Sequence, residues 1–254
     1  MDMTAPVQAT LLKADFFNRD PRRVARALLG KLLVRKTPHG ILAGRIVETE
    51  AYLGQGDAAA HTAAGKTARN SVLFGPPGYA YVYFIYGNHY CLNVSCLPDG
   101  VPGGVLFRAL EPVEGIEQMA QARGIEIMRG RVPSPAYVGT AALGRSAERS
   151  SAATGRRSNP GFAISEESDL KKISLLKKIS SGPGRLSEAL QITRDRDNGK
   201  SLVSPRSDLS IVDDASRVRR VTVTPRIGIA KSADRPLRYF IAGNPFVSGR
   251  SRAA

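Results

Sequence analysis

Hydrophobic and polar positions along this chain follow two periods in turn. After Asp20-Pro21, the apolar residues Val24, Ala25, Leu28 and Leu29 recur at helical spacing, and Gly30 follows as a stop. Asp20 reads as the N-cap, with proline at the first helical position. Lys31 to Arg35 and Ile41 to Tyr52 read as strands joined by the turn residues Thr37-Pro38-His39-Gly40. From Gly54 to Gly78 the chain is rich in Gly, Ala, Thr and Pro and predicts a long loop, a feature that is uncommon and often functional. Two more strands, Tyr79 to Tyr86 and Tyr90 to Ser95, meet at Gly87-Asn88, a tight-hairpin signal. Val105 to Leu110 reads as a strand halted by Pro112, and Ile116, Met119 and Ala120 mark a helix behind it.

The pattern then changes. Residues 145–183 are rich in Ser, Arg, Gly and Ala, and hold the near-repeat Leu170-Lys171-Lys172-Ile173-Ser174 and Leu176-Lys177-Lys178-Ile179-Ser180. This stretch reads as a mobile, low-complexity basic insertion. Order resumes with a short helix from Pro183 through Leu190, then strands at Leu209 to Val212, Arg219 to Thr224 and Leu237 to Ala242. Helices and hairpins in this mixed order predict an α+β fold rather than β-α-β repeats. The expectation is one domain over residues 1–254, with a curved, mainly antiparallel sheet, flanking helices and a protruding hairpin.

Composition adds a class of partner. Hydrophobic residues make up 42% of the 254, enough for a sizeable core. No apolar run approaches the roughly 20 residues of a membrane span, and Met1 to Pro6 lacks the pattern of a secretory signal. The expected location is intracellular, cytoplasmic or nuclear. Lys and Arg number 37 against 22 Asp and Glu, a formal charge of +15. Such an excess favours a polyanion; nucleic acid is the commonest inside cells, and an anionic membrane surface is the other reading. The cysteines Cys91 and Cys96, spaced C-x4-C on one strand, point to opposite faces. With only His39, His61 and His89 available, no zinc pattern forms, and both read as buried thiols.

The densest chemistry lies between Arg45 and Glu114. On an extended strand Glu48, Glu50 and Tyr52 share one face, and Val47, Thr49 and Ala51 the other. A carboxylate beside an aromatic ring suits hydrolysis at a base: the carboxylate deprotonates water and supports a cationic sugar, and the ring stacks. The plainer reading pairs both glutamates with Arg45 or Arg108 as structural ion pairs. Tyr86, immediately before the turn, is placed to wedge into a duplex, or else folds back on the sheet.

These stretches resemble the alkyladenine (3-methyladenine) DNA glycosylase family of the mammalian type. The resemblance rests on Arg45 to Gly54, Ala59-Ala60-His61, Arg69-Asn70, Pro77-Gly78, Tyr81 to Tyr83, Ile85 to Gly87, Cys91, Asn93 and Arg108 to Pro112. It continues at Gly182 to Leu190, Arg226-Ile227-Gly228, Pro236-Leu237-Arg238 and Gly243 to Ser248, and so covers most of the chain. The resemblance implies a monofunctional glycosylase that flips an alkylated or deaminated purine out of duplex DNA and hydrolyses its N-glycosidic bond. Glu50 would activate water and Arg108 would hold the water and the carboxylate. Tyr52 would stack on one face of the base and His61 and Tyr83 on the other, with the His61 amide also placed to donate to the base edge. Asn93 would line the pocket and Ile227 would sit near the water. Tyr86 would fill the gap in the duplex, and Lys66 and Arg69 would contact phosphates.

Glu48 would serve as support, and His39 and His89 as ordinary surface residues. No metal or cofactor is implied, and the partner is double-stranded DNA carrying damaged purines, bound by a monomer. Two departures stand out. Asn88 takes the place of a larger apolar residue at the hairpin tip, and Thr62-Ala63-Ala64 replaces a Ser-Arg-Gly stretch, removing a cation. The basic segment would restore part of the lost affinity, so deleting 145–181 is expected to flatten the salt dependence of binding. Two rivals remain: a non-enzymatic basic protein with the same wedge, and a hydrolase of free nucleosides.

Overall fold

A computed structural model describes residues 9–85, 87, 89–126 and 166–249. In chain order the elements are β1 (Thr10–Leu11), α1 (Ala14–Phe17), α2 (Pro21–Leu28), β2 (Leu32–Thr37), β3 (Gly40–Tyr52), β4 (Ala80–Ile85), β5 (His89–Ser95) and β6 (Gly104–Glu114). They continue with α3 (Ile116–Ala122), α4 (Glu166–Ser180), α5 (Pro183–Ala189), α6 (Arg194–Asp197), β7 (Leu209–Asp213), β8 (Val221–Thr224) and β9 (Arg238–Ile241). The strands form one sheet in the order β1-β7-β2-β3-β6-β5-β4, with β9 beside the second half of β3 and β8 outside β9. Every pairing is antiparallel, as the mixed element order predicted.

The spine of the sheet is β3. Its first half pairs with β2 and its second with β9, while β6 runs along its other edge. Between Ile46 and Glu48 the β3–β6 register slips: Ile46 faces Leu110 and Glu48 faces Ala109. A one-residue slip exchanges the two faces of a strand. Before it Leu42 and Ile46 enter the main core, and after it Ala51 does. Thr49 faces the same way, and its Oγ1 donates to Ala25 O of α2 at 2.9 Å. Glu48 and Glu50 are thereby turned to the opposite side, away from α2. The simple alternation predicted for this strand fails at Val47, which packs with Ala109 and Phe246 in a small separate cluster. A bulge leaves no trace in the alternation itself.

Two other expectations are corrected. Pro112 does not end its strand; β6 continues to Glu114, and Pro112 sits opposite Gly44 at a second register shift. Proline is tolerated at such irregularities because no ladder N–H is needed there. The segment expected to be mobile over 145–183 divides. Residues 145–165 lie outside the described residues, but Glu166–Ser180 is α4. Ile179 is fully buried in the main core, Leu176 packs beside it, and Ser180 Oγ donates to Leu110 O at 2.8 Å. The lysine pairs disguise a helix that docks through Leu176 and Ile179, so a deletion through residue 181 would also remove packed structure.

A cleft opens where β5 leaves β6. The two pair only through Asn93–Ser95 and Gly104–Leu106. Further along, Ser181 bridges to Ala109 and Gly182 N donates to Arg108 O at 3.0 Å, so the α4–α5 junction forms one wall. The other wall is the 53–75 loop, anchored at Gly54. There φ is +85°, and a Cβ would stand 2.1 Å from Pro102 O. Gly54→Ala is therefore expected to cost about 1–3 kcal/mol, read as a lower thermal midpoint; an unchanged midpoint would show that the loop anchors elsewhere.

Candidate active site

The cleft encloses about 650 Å³, within the range of pockets that enclose small molecules. Tyr52, His61, Tyr83, Asn93, Arg108 and Ile227 all line it. Six of the residues expected from the sequence thus meet around one space. Tyr86 lies outside the described residues.

Glu50 is fully buried directly behind this lining. Its Oε1 accepts from Ile227 N at 2.8 Å and lies 3.2 Å from Arg108 Nη1, while its Oε2 accepts from the Tyr52 hydroxyl at 3.0 Å. Burial raises the Glu50 pKa, an effect only partly offset by Arg108, the Ile227 amide and the Tyr52 hydroxyl. A carboxylate pinned by three donors yet pushed towards neutrality is both oriented and basic. Such a perturbed group beside a cleft is a mark of functional sites.

Glu48, two residues earlier, has a different environment. Its Oε1 accepts from Arg108 Nε at 3.0 Å and Arg238 Nε at 2.6 Å, and its Oε2 from Ser248 N at 2.6 Å. It ties β3, β6, β9 and the chain end after β9 together and keeps Arg108 aimed at Glu50. Burial works against the Arg108 charge, but Glu50 and Glu48 together outweigh it and raise its pKa. The ion-pair reading of the sequence is thus right for Arg108 and wrong for Arg45, which pairs with Asp214 at 2.8 Å.

Tyr52 is held from behind. The Arg226 guanidinium lies 4.6 Å from its ring centroid and is gripped by Asp57 at 2.5 and 2.7 Å, with both side chains buried. Asp57 also accepts from Leu53 N and Ala59 N, each at 3.2 Å, folding the start of the loop. Burial alone would push the Asp57 carboxyl up; Arg226 and these amides hold it below its ordinary value.

Across the cleft, His61 Nδ1 shares a hydrogen bond with the Tyr81 hydroxyl at 2.9 Å, and its ring meets Tyr83 edge-on, centroids 4.4 Å apart. Burial, then Arg69, lowers the His61 pKa and favours the neutral ring. Asn70 fixes the backbone here, donating to His61 O at 2.9 Å and Gly65 O at 3.0 Å. Asn93, buried on β5, donates to Tyr81 O at 3.3 Å. Arg69 rests over Tyr83 at 5.9 Å, and Lys66 is exposed on the same loop. His39 is exposed as expected, but His89 lines the cleft and packs on Gly184, where a Cβ would meet its ring at 2.9 Å. Cys91 lines the cleft and Cys96 lies in the main core, both as free thiols.

Asp57 did not enter the sequence reading, and Asn70, Arg226, Arg238 and Ser248 entered it only as matched residues with no function attached. The available signal was electrostatic: two carboxylates inside an apolar strand require buried cations, and Arg226 and Arg238 flank apolar stretches. Among the described residues no cluster of three or more His, Cys, Asp or Glu side chains gathers to hold a metal. No helix among them is long and apolar enough to cross a membrane.

Comparison with known proteins gives the family. The family model described as methylpurine-DNA glycosylase matches residues 15–245. A relative from Koribacter versatilis is 56% identical over 98% of this chain and 99% of its own length. Relatives from Methanocella arvoryzae and Burkholderia cenocepacia are 38% and 39% identical, over 95% and 96% of this chain and 97% and 94% of their own lengths. All three are named as candidate 3-methyladenine DNA glycosylases. The chain belongs to the methylpurine-DNA glycosylase family.

Proposed function

We propose that the cleft receives one alkylated or deaminated purine, flipped out of duplex DNA, and that Glu50 activates the water that releases it. Membership of the family makes the protein a DNA glycosylase, a hydrolase of N-glycosyl bonds in base excision repair. The observation that carries the residue assignment is the setting of Glu50: the three residues that hold it, Tyr52, Arg108 and Ile227, all line the cleft.

The steps follow from that setting. The flipped base enters between Tyr52 and the His61–Tyr83 pair, and stacking offsets the few kcal/mol of unpairing. Glu50 takes a proton from water as the water attacks the anomeric carbon. Its negative charge also stabilises the oxocarbenium-like sugar of the transition state. Arg108 keeps Glu50 ionised and in line. A cationic alkylated base leaves without further protonation and gains about 0.5–2 kcal/mol from the π faces. Tyr86 fills the vacated stack, Lys66 and Arg69 contact phosphates, and the protein acts as a monomer on the genome.

The test is base release from duplex oligonucleotides carrying single 3-methyladenine, 7-methylguanine or hypoxanthine lesions. Release of free base with an abasic product is expected; binding without release would leave only the non-enzymatic rival. A finer check uses Tyr52→Phe. It keeps the ring but removes a hydrogen bond that lowers the Glu50 pKa. The acid limb of the single-turnover rate profile is then expected to move to higher pH, and a shift the other way would contradict Glu50 as the base.

A further inference from the structure

The sheet has a second charged face. Thr49 binds α2 on one side of β3 while Glu50 faces the cleft on the other, so α2 lies behind the sheet from the active site. Val24, Ala25 and Leu28 of α2 are buried, whereas Arg22, Arg23 and Arg26 are exposed. The segment leading into β8 adds Arg217 and Arg219, also exposed, whereas Arg220, opposite Ala242, continues the Thr222–Thr224 face on the cleft side. The two groups adjoin. Gly30, just past α2, is so close to Val218 that a Cβ would lie 2.7 Å from its Cγ2. Tyr239 of β9, paired with Thr49 of β3 and Val223 of β8, stands on the same face of the sheet as α2.

Acidic residues are scarce here. None occurs from Ala215 to Ala233. Asp20 is taken by Arg22, Asp213 by Lys31 and Asp214 by Arg45. Arg23, Arg26, Arg217 and Arg219 have no ion-pair partner among the described residues. Unpaired guanidinium groups on one surface repel each other and destabilise the fold unless a polyanion covers them.

We propose that this rear face is a second binding surface for the phosphate backbone of duplex DNA, separate from the segment engaged at the cleft. The inference rests on the DNA glycosylase reading. A helix about 10–12 Å across, together with the sheet, stands between the two surfaces, so a duplex seated over the cleft does not reach the rear face. A second duplex segment does, and contacts there are to phosphate rather than to bases, because the side chains are long, flexible cations on a convex surface. The protein can then hold two segments together and pass from one to the other without first dissociating.

The experiment loads the full chain on a short fluorescent duplex bearing a non-cleavable abasic analogue and measures its release as undamaged duplex is added. Wild-type release is expected to speed up in proportion to competitor concentration. In the variant with Arg23, Arg26, Arg217 and Arg219 all changed to Ala, that competitor-dependent rate is expected to fall at least roughly tenfold, because four phosphate contacts are removed. The matching Arg→Lys variant should behave as wild type. Single-turnover base release on saturating lesion duplex should stay unchanged in both. Wild-type release independent of competitor, or an alanine variant that still responds, overturns the proposal. Acceleration by polyglutamate but not by duplex also overturns it and assigns the face to an acidic protein. If wild type releases no base at all, the glycosylase reading fails instead, and that assay is read separately.

Discussion

Glu50→Gln is expected to slow single-turnover base release by about 10²–10⁴-fold while leaving affinity for a lesion-bearing duplex nearly unchanged. Glutamine keeps the shape of the side chain and the acceptor that Ile227 N and Arg108 require, but it cannot take a proton from water. The variant also tests the electrostatics. The Glu50 pKa is raised above 4.5 in the fold by burial, so between its unfolded and folded pKa the native state holds more protons than the unfolded chain. Stability therefore falls as pH rises through that window and stays reduced above it. Glutamine has no charge to bury. Relative to wild type, its thermal midpoint should match below the window and be higher above it. A neutral-pH midpoint below wild type, or release within tenfold of it, would falsify the assignment of Glu50 as a buried, active base.

Much of this site is legible in the chain because β structure has a short period. Glu48, Glu50 and Tyr52 lie two apart, and they do meet on one face. The hairpin that carries Tyr83 and Asn93 follows from alternation and Gly87. The bulge at Ile46 to Glu48 is different: nothing local marks it, because it arises from how β3 must sit between β6, β9 and α2. It nevertheless decides that the glutamates face the cleft rather than α2. The long loop was read as loop, but its order comes from Asp57 and Asn70, each bonded to backbone groups close by in sequence. Pairing Asp57 with Arg226, by contrast, spans most of the chain. Such long-range ion pairs have no sequence period, and a lone Asp in a Gly- and Ala-rich stretch looks solvated. The α4 helix was hidden by the reverse effect, since repeated lysines drew attention from the Leu176 and Ile179 positions that dock.

Glu48→Ala is expected to destabilise the protein by about 3–5 kcal/mol, the usual cost of breaking a buried ion pair from one side. At this chain length that lowers the thermal midpoint by on the order of 10 °C. Arg108 would keep Glu50, but Arg238 would retain hydrogen bonds only to Thr224 Oγ1 at 3.2 Å and Ser248 O at 2.9 Å and its place over the Phe240 ring, leaving its charge buried without a counter-ion. Adding Arg238→Leu to Glu48→Ala should therefore recover part of the loss, whereas two unrelated losses would simply add. The rate profile separates support from catalysis. Glu48 raises the Glu50 pKa through like-charge repulsion, so its removal should move the acid limb to lower pH, opposite to Tyr52→Phe. Measured below its melting range, the variant should still release base. If it is as inactive as Glu50→Gln while folded, the division of roles between the two glutamates is wrong, and the base is Glu48.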